Sequence, residues 1–169
     1  MALLSVLQFP DPRLRTKALM VEEVNATVRK IVDDMFETMY EYGGVGLAST
    51  QVAVYQRIVV MDVSDHRDAP VCFINPEIIH REGLQYESEG CLSFPSIYDK
   101  VERAAKVRVQ ALDKDGKSFQ FDAEELTAIC IQHEIDHLNG VLFIDHLSRL
   151  KQTRVRAKVD KTRRRTSAT

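Results

Sequence analysis

Between Asn25 and Gly44 the apolar residues return at helical spacing: Val28, Ile31, Val32, Met35 and Met39 fall at i, i+3, i+4, i+7 and i+11. The stripe predicts an amphipathic helix with Asn25 as its N-cap and Gly43-Gly44 as its stop. Arg57 to Val63 is rich in β-branched residues and predicts a buried strand. Cys72 to Ile79 predicts one or two short strands broken at Pro76. From Lys106 to Leu112 the pattern alternates, with Val107, Val109 and Ala111 on one face. Asp113-Lys114-Asp115-Gly116 then turns the chain into a partner strand at Ser118 to Phe121, a hairpin. A second helix is expected from about Ala123 to Leu138, ended by Asn139-Gly140, and a third from the cap Ser148. Strands and helices are segregated rather than alternating. The expected fold class is therefore α+β: mainly antiparallel strands packed around the helix at 123–138, with an N-terminal and a C-terminal helix.

Composition changes this picture little. The 169 residues are 44% hydrophobic and 28% charged, as in an ordinary globular protein with one core. No apolar run approaches the ~20 residues of a membrane helix. The first residues carry no basic region of the kind that opens a signal peptide, so the expected compartment is the cytoplasm. Cys72, Cys91 and Cys130 are odd in number and unclustered, which favours core thiols or metal ligands over disulfides.

Charge changes it more. Arg149 to Arg165 holds nine Lys or Arg against Asp160 alone, +8, so the remainder carries −10 of the chain's net −2. An acidic body with a basic end points to a polyanionic partner for that end, the alternative being a solvated helix or a frayed tail. We accordingly divide the chain into a catalytic domain at 1–148 and a basic C-terminal helix or tail at 149–169.

The strongest chemical signal is Gln132-His133-Glu134-Ile135-Asp136-His137. Residues i and i+4 share one helical face, so both imidazoles can reach one cation, while Glu134 can approach a metal-activated water without being a ligand. Leu126, Ile129, Cys130, His133 and His137 fall on one stripe, which brings an apolar wall to the ligands. Two histidines leave a catalytic site one protein ligand short. Cys130 lies seven residues before His137, about 10 Å along the axis at ~1.5 Å per residue, and suits the pocket wall better. Cys72 sits in an expected strand, and His66, His80 and His146 lie in polar surroundings. Cys91 is flanked by Gly90, which lets the backbone approach closely. It is a candidate ligand, with a buried structural thiol as the alternative.

Three segments together resemble one family, the peptide deformylases. Gly44-Val45-Gly46-Leu47-Ala48-Ser49-Thr50-Gln51 is similar to its glycine-rich loop, with Ser49 where a second alanine is usual. Glu89-Gly90-Cys91-Leu92-Ser93 and the His133–His137 helix match its other two segments, in family order, and the similarity spans residues 1 to about 150. The resemblance implies removal of the N-formyl group from the N-terminal methionine of new polypeptides, releasing formate, by attack of a metal-bound hydroxide on the formyl carbonyl. It implies Cys91, His133 and His137 as ligands of one divalent transition metal, Fe2+ as the native ion, with Zn2+ or Ni2+ able to replace it. Glu134 would be the acid/base, Gln51 and the backbone N–H of Leu92 would stabilise the oxyanion, and Gly46 would bond the substrate backbone. Val45, Leu126, Ile129 and Cys130 would line the methionine pocket. The expected partners are N-formylmethionyl nascent peptides and the ribosome, the latter through rRNA contact at Arg149–Arg165, and no membrane.

Two other readings fit parts of the chain. A metallopeptidase also uses His-Glu-x-x-His, but His146 is the one downstream histidine and its spacing does not match the His-x-x-Gly-x-x-His extension. A structural metal site on an RNA-binding module wants a fourth protein ligand, and none stands out.

Overall fold

Helix α1 (Ala26–Glu41) begins where its cap was expected: the Asn25 side chain accepts the Val28 N–H at 3.0 Å. Its stripe of Val28, Val32, Met35 and Met39 is buried, and Gly43 leaves the helix at a φ of +70°. The structure, a computed structural model, describes residues 2–167. Seven strands follow or separate the helices: β1 (Gly46–Ala48), β2 (Ile58–Met61), β3 (Val71–Glu82), β4 (Gln85–Cys91), β5 (Phe94–Arg103), β6 (Lys106–Leu112) and β7 (Ser118–Glu124). Five form one antiparallel sheet in the order β1-β2-β3-β6-β7, while β4 and β5 pair as a separate hairpin.

The β2 strand shows why its sequence reads as unbroken apolar. Val59 and Met61 pack on one face with helix α2 (Glu125–Leu138), and Ile58 and Val60 pack on the other with α1. A strand covered on both faces has no polar side to alternate with.

The expected break at Pro76 does not occur. β3 runs as one 12-residue strand, and its ladder with β6 shifts register between Ile74 and Glu77. Asn75 takes a φ of +54° there and bonds the Val21 backbone through both side-chain ends, at 2.8 and 2.9 Å. The bulge absorbs the proline's missing N–H. The second helix also starts later than expected. β7 continues through Glu124, and Glu125 turns the chain from strand to helix at a φ of +54°.

Helix α2 is covered almost all round, from Ala128 to Leu138 with Asp136 excepted, which makes it the central helix of the fold. Phe94, Val101 and Phe143 form a second cluster with Phe9 and Leu14, which meets α2 where the Phe143 ring lies against that of His133. Helix α3 (Arg149–Ser167), capped by the Ser148 hydroxyl at 3.3 Å from Lys151 N, lays Val155 and Val159 into that same cluster.

Candidate metal centre

Helix α2 presents His133 and His137 one turn apart with ring centroids separated by 5.0 Å. The β4–β5 hairpin delivers Cys91 from the opposite side, at the point where its ladder slips between Glu89 and Cys91. The Cys91 Sγ lies 3.4 Å from His137 Nε2, and one donor atom from each of Cys91, His133 and His137 falls within 4.8 Å of the others. A thiolate and two imidazoles at ~2.0–2.3 Å from an ion suit a tetrahedral transition-metal site with one position left open.

A buried chain of polar groups holds the first histidine. Glu89 Oε1 lies 2.9 Å from His133 Nδ1, and Arg103 clamps the same carboxylate with Nε at 2.8 Å and Nη2 at 2.9 Å. Arg103 Nη1 reaches Asp136 at 2.6 Å, and the same Asp136 oxygen lies 2.9 Å from His146 Nε2. Burial raises the Glu89 pKa, but the bonds from Arg103 and His133 outweigh it and hold the carboxyl below its ordinary value. An ionised Glu89 can only accept, so Nδ1 of His133 carries the proton and Nε2 is left for a cation.

The donor cluster itself attracts positive charge. Burial presses His133 toward neutrality, yet Cys91 and Glu89 prevail and lift its pKa well above the usual histidine range. Burial and the neighbouring His133 press His137 well below that range. Glu134 is 3% exposed, with Oε1 3.7 Å from His133 Nε2 and Oε2 buried without a partner among the described residues. Burial pushes its pKa up to about 7.

Gln51 reaches the cluster from the short 3-10 turn at Ser49–Val52. Its Oε1 accepts the Ala48 N–H at 2.9 Å, and its Nε2 donates to Ser93 Oγ at 3.1 Å and lies 3.5 Å from Cys91 Sγ. The Gly46 backbone runs against α2 so closely that a Cβ there would stand 2.7 Å from Cys130 Sγ and 3.1 Å from Glu134 Cγ. A cavity of about 550 Å³ is lined by Val45, Gly46, Gln51, Cys91, Leu92, Leu126, Ile129, Cys130, His133 and Glu134. Ile129 and Cys130 are buried, whereas Val45 and Leu126 stand exposed at its mouth; His137 is buried behind it.

Residues set aside on sequence grounds lie elsewhere. Cys72 is buried beside α1, and His66 and His80 are exposed. His146 is exposed too, but belongs to the chain that ends on Glu89. The Ser49 hydroxyl donates to the Gln56 carbonyl and lies outside the cavity lining. Sequence reasoning missed Glu89, Ser93 and Arg103. Glu89 and Ser93 had a signal in their place two residues either side of Cys91, but Arg103 is brought in only by hairpin pairing.

The comparisons agree with this geometry. The sequence profile of the family Polypeptide deformylase matches residues 3–153. A Chromobacterium violaceum protein named peptide deformylase is 55% identical over 161 residues, covering 95% of this chain and 96% of its own. A crystal structure of a peptide deformylase from Legionella pneumophila superimposes with a TM-score of 0.94 at 45% identity, over 99% of each chain. One from Ehrlichia chaffeensis in complex with actinonin gives 0.92 at 41% identity, over 96% of this chain and 98% of that one. With that agreement along nearly the whole chain, and with the three similar segments converging on one cavity, this protein belongs to the polypeptide deformylase family.

Proposed function

We propose that this site removes the formyl group from the N-terminal formylmethionine of newly made polypeptides and releases formate, with Cys91, His133 and His137 holding one divalent transition metal. The observation that carries the reading is the unpartnered Glu134 oxygen, buried beside a Cys-His-His donor set at an open apolar cavity. The donor chemistry fits the ion, and the mixed soft and borderline ligands accept several. Ferrous iron is the ion we infer as native, with zinc or nickel able to occupy the site.

A divalent metal held by Cys91, His133 and His137 would supply Lewis acidity for the formamide carbonyl and for water at the site. Glu134 takes the proton from the attacking water and returns it to the leaving amine. Its Oε2, without a partner among the described residues, is available for both transfers. As the carbonyl carbon becomes tetrahedral, negative charge grows on its oxygen. Gln51 Nε2, fixed from behind by the Ala48–Gln51 bond, and the Leu92 N–H are the donors for it. The β1 strand is an edge strand, and its free edge at Gly46 offers backbone groups to the peptide. Val45, Leu126, Ile129 and Cys130 then receive the unbranched methionine side chain.

The ribosome is the polyanion we propose for α3. Arg154, Lys161 and Arg165 are exposed on it while Val155 and Val159 face inward. No helix among the described residues is long and apolar enough to cross a membrane, and a cytoplasmic enzyme meeting nascent chains fits the substrate.

The test is formate release from a formyl-Met tripeptide by anaerobically purified protein loaded with ferrous iron or nickel, with Glu134→Ala as its comparison. Loss of the general base is expected to lower kcat by about 10²–10⁴-fold with metal content unchanged. No formate from wild-type protein carrying one metal per chain would sink the reading.

A further inference from the structure

A second polar network lies away from the Glu89–Arg103 chain and ends on the lip of the cavity. At its centre is Asp62, 1% exposed, just past β2. Its carboxylate accepts the Tyr40 hydroxyl at 2.7 Å, the Ser64 N–H at 3.0 Å and hydroxyl at 2.5 Å, and the Ala69 N–H at 3.3 Å. Its backbone N–H donates to the Val45 carbonyl at 2.8 Å, and its backbone carbonyl accepts Arg67 Nη1 at 3.0 Å. Arg67 Nη2 donates to the Gly44 carbonyl, and the guanidinium carbon stands 5.0 Å from the centroid of the Tyr40 ring.

Both carbonyls that lead into Gly46 are therefore held from behind: Gly44 by Arg67 and Val45 by Asp62. A guanidinium suits this task because its planar fork can bond two carbonyls while its face stacks on a ring. Arg67 also holds a φ of +58°, a backbone conformation that disfavours any residue but glycine, and it is half-buried between exposed neighbours. Strain at a residue whose side chain completes a clamp is a reason to look for function there.

We propose that Arg67 is a positioning residue for deformylation: by holding the Gly44 carbonyl against Asp62 and Tyr40, it fixes the Gly44–Gly46 edge on which the formylated peptide pairs. The inference rests on the peptide-pairing role proposed for Gly46. Arg67 touches neither the metal donors nor Glu134, so its loss acts on peptide binding and leaves the chemical step intact. A peptide that extends past methionine gains from an ordered edge, whereas formyl-Met amide has little backbone to pair.

The experiment is steady-state deformylation of formyl-Met-Ala-Ser and of formyl-Met amide by wild type, Arg67→Ala, Arg67→Lys and Arg67→Gly, with metal content and Tm measured on each. Arg67→Ala is expected to raise KM for the tripeptide about tenfold, the worth of one charge-assisted hydrogen bond, and to move KM for the amide less. Its kcat stays within about twofold and its metal content stays full. Arg67→Lys recovers part of the affinity, because one amine bonds one carbonyl but cannot span both and stack. Arg67→Gly relieves the backbone, so it keeps the raised KM at a higher Tm than Arg67→Ala and serves where the alanine variant folds poorly. Unchanged KM in Arg67→Gly, or a fall in kcat that tracks metal loss with KM fixed, overturns the proposal. Wild-type protein that releases formate from neither substrate removes the deformylase reading itself, a result distinct from any seen in the variants alone.

Discussion

At the scale of single residues, the backbone bordering the cavity is held by close approaches to side chains. Gly46 is one such case, because an added methyl group would meet the Cys130 sulfur at 2.7 Å and the Glu134 side chain at 3.1 Å. Gly46→Ala is expected to lower kcat/KM by about a hundredfold, since a displacement of the order of an ångström in a positioned group costs that much. Adding Cys130→Ala opens the tighter of the two contacts and should restore part of the loss. Kinetics of the two single variants and the double variant check this, and additive losses would mean that the two positions do not compete for space. Asp62 carries a separate expectation at this scale. Burial raises its pKa, but bonds from Ser64, Tyr40 and Ala69 outweigh it and hold the value below the ordinary 3.8. The folded state thus prefers the ionised carboxylate. That contribution is complete above about pH 4, the unfolded range, and is lost as pH falls through the lower folded value. Urea midpoints measured from pH 6 down to pH 3 should drop less in Asp62→Asn than in wild type, because the variant has no such proton to take up.

At the scale of elements, local sequence governs where a helix starts and long-range pairing governs where a strand runs. The Asn25 cap and the stripe behind it stood out in the sequence because both signals lie within one segment. Replacing Asn25 with Ala removes the acceptor for the Val28 N–H and should cost about 1 kcal/mol of stability. Chemical denaturation measures it, with kcat/KM on a formyl-Met peptide expected unchanged because the helix N-terminus is remote from the cavity. The His133–Glu134–His137 spacing was legible for the same local reason. The β4–β5 hairpin was not. Gln-Tyr-Glu-Ser-Glu-Gly-Cys has no apolar alternation, since most of β4 is exposed and Glu89, its one fully buried side chain, is charged. A buried carboxylate is tolerable only because Arg103, fourteen residues away, folds over it, and no period in the sequence announces such a pair. The Pro76 break failed for a related reason: proline forbids a ladder bond, but a bulge supplies a place without one.

At the scale of the whole molecule, one core cluster is built on α2 itself and a second meets that helix where the Phe143 ring lies against His133, and the basic C-terminal helix takes part in the second. Val155 and Val159 pack with Phe94 and Phe143, and Phe143 in turn lies 5.0 Å from Phe94 and 5.9 Å from the His133 ring, centroid to centroid. Lys151 pairs with Asp99 at 3.3 Å and the Arg156 guanidinium stands over Phe9 at 5.6 Å. Charge in α3 and support of the helix that carries His133 and His137 are therefore joined in one element, which changes how a ribosome contact has to be tested. Removing residues 150–169 would strip both valines from the core, at about 1.5–3 kcal/mol each, and confuse lost binding with lost stability. Charge reversal on the exposed face separates the two. The triple change Arg154→Glu, Lys161→Glu and Arg165→Glu leaves Val155, Val159, Lys151 and Arg156 in place. It should leave Tm and short-peptide kinetics near wild type while weakening co-sedimentation with ribosomes, and the dependence of log K on log salt should flatten by about three, if each side chain neutralises about one phosphate. Equal sedimentation of wild type and variant across the salt range would mean that the basic face of α3 serves solubility and packing, and that nascent chains find the active site without it.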